Sequence, residues 1–151
     1  MKREAAALDP RSCVVIEACA GSGKTWLLVS RIVRLLLSGA KPSEILAITF
    51  TRKAAQEMAS RLREWLRILA LEPDDRVREF LLERHVAPAE IDELLAPARH
   101  LLEAYLTAEP PITLSTFHSW FLELLQRAPL DSGAVGRVTL LEQTSTLLTE
   151  A

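Results

Sequence analysis

Nothing constrains this chain more than Glu17 to Thr25, EACAGSGKT, set between the apolar run Val14-Val15-Ile16 and the apolar, helix-like segment Trp26 to Leu37. A short buried strand, a Gly-containing turn and a long helix in that order aim backbone N–H groups at one point beside a helix N-terminus, where an anion is stabilised. Gly21 and Gly23 allow positive φ and bring backbone close to phosphate oxygens with no Cβ in the way. Lys24 adds a flexible point charge for β and γ phosphates, and the Thr25 hydroxyl is suited to ligating Mg²⁺. The residues predict a site for a nucleoside triphosphate with Mg²⁺ in the loop Ala18, Cys19, Ala20, Gly21, Ser22, Gly23, Lys24 and Thr25. Ala18 stands where the usual GxxxxGK[ST] pattern begins with Gly, a difference of one methyl group. A plain Gly-rich turn with an exposed lysine is the competing reading.

A chain of 151 residues suits one domain or a piece of a larger one. Its 49% hydrophobic and 25% charged residues are a globular composition, not a disordered one. The net charge of -2 excludes a globally basic nucleic-acid binder, so any nucleic acid must be held by a local groove. Cys13 and Cys19 flank the predicted strand, too far apart to bridge, and are expected to be reduced. No apolar run approaches the ~20 residues of a membrane span, and the N-terminal MKREAAALDP lacks a signal-peptide core, so a cytoplasmic protein without membrane contact is expected.

Residues 1 to 10 read as a polar, Ala-rich lead-in, followed by a central strand at Val14 to Glu17. A helix runs from about Lys24 to Leu37, ended by Gly39 and Pro42. Ile45 to Phe50 is a second strand, expected to pair in parallel with the first across one βαβ unit. Ala54, Ala55, Met58, Leu62, Trp65, Leu66 and Leu69 then recur at helical spacing. Beyond Pro73, helices through Val77 to about His85 and from Pro88 to Leu106, kinked at Pro97, read as an insertion at about 72–109. His85 and His100 lack ligand spacing, so no protein metal site is expected. Ile112 to Ser115 is a third strand, Thr116 to Ser119 caps a helix over Trp120 to Arg127, Val138 to Leu141 is a candidate fourth strand, and Gln143 to Ala151 reads as helical.

Three strand ends thus carry EACAGSGKT, AITFTRKAAQEM and ITLSTFHSW in order. Together they resemble motifs I, Ia and Ib of superfamily 1A DNA helicases, the UvrD/Rep/RecB group, and look closest to RecB- and AddA-like helicase–nuclease subunits, from about residue 8 onward. The resemblance implies an α/β P-loop NTPase, a partial RecA-like domain with a parallel sheet and a helical insertion. It implies ATP and Mg²⁺ at Ala18 to Thr25, with Lys24 and Thr25 catalytic, and single-stranded DNA along Thr49, Phe50, Thr51, Arg52, Lys53, Ser115, Thr116, Phe117 and His118. It also implies 3'-5' translocation, recombinational DNA repair and possible partners in a helicase–nuclease complex. Hydroxyls and helix N-termini hold phosphates and aromatic faces stack bases, so the chemistry agrees. Core packing remains open for Phe50 and Phe117, a plain N-cap for Thr51, and a cap-region place for His118.

The family's Gln upstream of motif I has no counterpart in Glu4 to Leu8, which leaves adenine selectivity open. A Walker B strand ending in Asp-Glu is not found either: Asp74-Asp75, Asp92-Glu93 and Leu140-Leu141-Glu142 each fit poorly. Because the family places that element and the second RecA-like domain later, the chain is expected to be an N-terminal fragment that binds nucleotide weakly and does not unwind DNA by itself. The alternatives are a stand-alone P-loop nucleotide-binding or phosphotransfer protein in which Glu142 or another carboxylate serves Mg²⁺, and an inactive remnant.

Overall fold

The computed structural model describes residues 2–17 and 23–127. In chain order these form helix α1 (Lys2–Leu8), α2 (Lys24–Leu37), strand β1 (Leu46–Thr49), α3 (Arg52–Leu71), α4 (Asp74–Glu83), α5 (Ile91–Thr107), strand β2 (Thr113–Thr116) and α6 (Phe117–Gln126). Short 3₁₀ turns at Pro42–Glu44 and Pro88–Glu90 lead into β1 and α5.

The expected helix over Lys24 to Leu37 forms between those residues, and its end is local chemistry. Gly39 takes φ 94°, donating to Leu36 O at 3.0 Å, and Ala40 N–H reaches back to Leu35 O at 3.1 Å. This paired closure needs a left-handed residue just past the helix. A Cβ on Gly39 meets nothing within 4 Å, so only the backbone conformation resists substitution. Gly39→Ala is therefore expected to lower stability by about 1 kcal/mol, read as a reduced urea midpoint at unchanged slope. The same closure ends α4 with His85 at φ 56°, where Val86 N–H bonds Leu81 O at 3.1 Å.

β1 and β2 pair in parallel, in the register Leu46↔Thr113, Ala47↔Leu114, Ile48↔Ser115 and Thr49↔Thr116. Parallel neighbours need a crossover, supplied here by α3, α4 and α5. The main apolar stripe of α3, Met58, Leu62, Trp65, Leu66 and Leu69, recurs on one helical face and is buried. Against it pack Val29, Val33 and Leu36 of α2, Val77 and Leu81 of α4, and Ala98 and Leu101 of α5, with Ala47 and Leu114 reaching the same core from the sheet. The helices between Pro73 and Ala108 thus share one core with α2 and α3. Arg99 of α5 fastens their junction, donating to Leu69 O at 3.0 Å and to the Asp74 carboxylate at 2.5 Å. α5 runs on through Pro97.

Three expectations need correction. Residues 2–8 are a helix rather than a lead-in: KREAAAL is rich in helix formers but too short to display a period, and Ala7 and Leu8 are buried. Val14 to Glu17 form no strand, and Val15 is 97% exposed. An apolar triplet supplies side chains for a strand, but a ladder needs a second backbone, and among the described residues 14–17 have none. The parallel partner of the second predicted strand is therefore the third, not the first. Smaller shifts move β2 by one residue, to 113–116, and start α6 at Phe117. Val138 to Leu141 and Gln143 to Ala151 lie outside the described residues.

Candidate functional site

Gly23 is the N-cap of α2, at φ 80° and ψ 17°. Its carbonyl accepts the first intrahelical bond, from Leu27 N–H at 3.0 Å, while it has no side chain to cap the turn above. No acidic residue occupies that turn. The first N–H groups of a helix lack intrahelical acceptors and carry the positive end of the helix dipole. Lys24, exposed, and Thr25, partly buried, are the first two residues of α2 and add an ammonium and a hydroxyl to this end. The donor set fits a phosphate chain: backbone N–H groups, one cation, and one hydroxyl able to ligate a divalent metal. Of the sequence-predicted loop, Ala18, Cys19, Ala20, Gly21 and Ser22 lie outside the described residues.

The two strand ends meet at the other part of the candidate site. Because Thr49 and Thr116 are register partners, the segments Thr49–Lys53 and Ser115–His118 leave the sheet side by side at its carboxyl edge. Thr51 caps α3, its Oγ1 accepting from Ala54 N–H at 3.1 Å, and Thr49 Oγ1 donates to Thr51 O at 2.9 Å. Thr116 caps α6 in the same way, accepting from Ser119 N–H at 3.2 Å. Two helix N-termini are thereby aimed at one edge.

An aromatic residue adjoins each cap in sequence, Phe50 before Thr51 and Phe117 after Thr116. Phe50 is 96% exposed and is not part of the core of the described residues. Phe117 is 52% exposed and lies nearly parallel to Phe121, with centroids 6.1 Å apart and planes 8° from each other. His118 is exposed and stands edge-on to Phe117 at 6.1 Å. Arg52 and Lys53, both exposed, open α3 beside Phe50. The N-cap reading of Thr51 holds, and a cap leaves the rest of that edge open to a ligand. Sequence reasoning passed over Phe121, although its spacing of four from Phe117 on a helix was a usable signal.

The acidic pairs considered for a metal have other work. Asp74 bonds Arg99, and Asp92 pairs with Arg78. Both occupy first helical turns, where a carboxylate offsets the dipole. Glu142 lies outside the described residues. Cys13 is exposed and unbridged.

A parallel pair of strands whose carboxyl ends carry hydroxyls and lead into helix N-termini defines an α/β protein. The chain belongs to the UvrD/REP helicase N-terminal domain family, whose model matches residues 1–150. It is similar to an ATP-dependent helicase/nuclease subunit of Desulforudis audaxviator, with 36% identity over 117 residues, 76% of this chain and 8% of the relative. The protein of the same name from Lactobacillus gasseri is 42% identical over 77 residues, 50% of this chain and 6% of the relative. That from Clostridium perfringens is 31% identical over 124 residues, 80% and 8% respectively. The chain thus spans less than a tenth of the length of these three relatives. No described helix is long and apolar enough to cross a membrane.

Proposed function

We propose that this chain forms the nucleotide-binding and DNA-facing part of the first RecA-like domain of an ATP-dependent DNA helicase of recombinational repair, acting in the cytoplasm alongside a nuclease activity. Ala18 to Thr25 wrap the phosphates of ATP, Lys24 meets the β and γ phosphates, and the Thr25 hydroxyl ligates Mg²⁺. Hydrolysis of the bound nucleotide supplies the free energy for stepping along single-stranded DNA, 3'-5' by family likeness. This chain's own residues bind, orient and hold. Thr51 and Thr116 fix the helix N-termini toward the DNA backbone, Arg52, Lys53 and His118 contact phosphates, and Phe50 and Phe117 stack on bases.

The observation that carries this reading is the pairing of Thr49 with Thr116, which puts a 96% exposed ring and a half-exposed ring on adjacent strand ends. A soluble protein has no stability reason to hold bare phenylalanines between two hydroxyl-capped helix starts, whereas a strand of bases needs such faces. The test is anisotropy of labelled oligothymidine. Phe50→Ala and Phe117→Ala should each weaken binding by about 5- to 100-fold, as loss of one stacked base costs ~1–3 kcal/mol. Both substitutions should leave the urea midpoint nearly unchanged, since neither ring is buried. Wild-type affinity retained in the double variant sinks the DNA-path assignment.

A further inference from the structure

We propose that the solvent face of α3 carries single-stranded DNA onward from the sheet edge, as a rail for its phosphates; this rests on the DNA reading above. Arg52, Gln56, Ser60, Arg63 and Arg67 recur every three or four residues, the spacing that keeps side chains on one helical face. All five are exposed, on the side of α3 turned away from the buried Met58, Leu62 and Leu69. The row begins in the first turn of α3, beside the Thr51 cap, and ends ~22 Å down the axis at 1.5 Å per residue.

An exposed polar row is most often a plain solvated surface, and charge sets this one apart. The chain carries 20 acidic residues against 18 Lys and Arg, yet no carboxylate falls in the row. Glu57 lies on another flank of the helix, where it pairs with Arg61 at 3.4 Å. Farther along, Arg76, Arg78, Arg84, Arg99 and Arg127 each pair with a carboxylate as well. Arg63 and Arg67 have no carboxylate partner among the described residues, and both stand in the row.

A guanidinium meets a phosphate with a planar fork of donors, and groups four residues apart sit ~6 Å apart along the axis, within reach of neighbouring phosphates of one strand. The Ser60 hydroxyl and the Gln56 amide add neutral donors of the kind that contact a nucleic-acid backbone. A row one residue wide presents one line of cations, which matches the one backbone of a single strand and not the two of a duplex. At its far end Arg63 and Arg67 share a shallow groove with the half-buried Ile68 and the exposed Leu71, apolar surface on which a base can lie. Glu64 and Glu72 line the same groove, and their repulsion confines a phosphate to the arginine side.

Anisotropy of a labelled ~15-mer oligothymidine on the whole chain, repeated across salt concentrations, tests this. The Arg63→Gln/Arg67→Gln double variant should bind about 3- to 10-fold more weakly at low salt. Its log–log salt slope should flatten by ~1.4, since each single-strand phosphate contact contributes ~0.7. Glu64→Gln, which removes a repelling carboxylate, should tighten binding about twofold. Arg76→Gln removes a positive charge from α4 instead and should keep the wild-type slope. All of these side chains are exposed, so urea midpoints should stay near the wild-type value. A wild-type slope in the double variant overturns the proposal. Flattening by Arg76→Gln of the size seen per arginine in the row overturns it too, because attraction would then follow net charge alone. A blunt hairpin duplex that displaces the oligomer as well as unlabelled oligothymidine does overturns the single-strand assignment. If the double variant flattens the slope while Phe50→Ala and Phe117→Ala change nothing, the rail stands and the ring path fails; a wild type that binds no oligothymidine sinks both.

Discussion

In a full-length helicase that carries this chain, Lys24→Ala is expected to cut DNA-stimulated ATP turnover by on the order of 10²–10³, the scale for removing one preorganised charge-stabilising donor, with the fold untouched. Lys24 is exposed at the first position of α2, so its truncation opens no cavity. What it removes is a cation at a place already biased positive by the dipole of a 14-residue helix. An ammonium at that end is placed to meet an anionic phosphate. Phosphate release in the presence of oligothymidine measures the effect, and oligothymidine affinity without nucleotide provides the control, expected to stay at the wild-type value. Lys24→Arg should not rescue turnover, since a planar fork does not replace a compact ammonium between two phosphates. A turnover that survives Lys24→Ala within about twofold rules out the phosphate role, given that a single lost charge-assisted bond already exceeds that factor.

The positions of the longer helices, α2 to α6, were readable in the sequence because their signals are local and redundant. Met58, Leu62, Trp65, Leu66 and Leu69 recur at the helical period and all are buried, and Gly39 ends α2 where a left-handed residue is required. The caps at Thr51 and Thr116 were readable for the same reason, each being a hydroxyl set before a helical run. Strand pairing was not, because Val14-Val15-Ile16 and Ile45 to Phe50 look alike as apolar runs, and only the second finds a partner backbone among the described residues. The motif residues at the β1 and β2 ends were identified by type, but Phe50 as core or surface was undecidable: a phenylalanine at a strand-to-helix junction serves either place, and only the turn of the backbone at Thr51 decides. Arg31 was unreadable for a different reason. It donates to the backbone carbonyls of Ala7, Asp9 and Ser12, and every residue has a carbonyl, so no side-chain pattern announces the contact.

Arg84→Ala should destabilise the protein by about 3–5 kcal/mol, the cost of a large-to-small change in a packed core, while Arg84→Met should cost far less. Arg84 is only 3% exposed, with its guanidinium carbon 3.2 Å from the Phe80 ring centroid, 4.0 Å from Trp65 and 5.6 Å from Trp26. Nη1 donates to Phe80 O at 2.7 Å and pairs with Glu83 at 3.2 Å, but Nε is buried with no hydrogen-bond partner. Burial pushes its pKa below the ordinary arginine range, to about 10, outweighing the opposing pull of Glu83. A lowered value means the folded state holds the proton less tightly than the unfolded chain does. The resulting penalty is fully present below about pH 10 and is relieved as pH rises through that value toward the ordinary arginine range. At neutral pH the site therefore keeps its charge at a cost, offset by ring contacts worth ~2 kcal/mol or more when desolvated. Methionine retains an unbranched stem among the three rings and removes both the orphaned Nε and the ion; alanine retains neither the volume nor the contacts. Urea midpoints of the three proteins at pH 7 give the comparison. Equal losses in the two variants would mean that the cation itself, and not the volume it fills between α2, α3 and α4, holds those helices together.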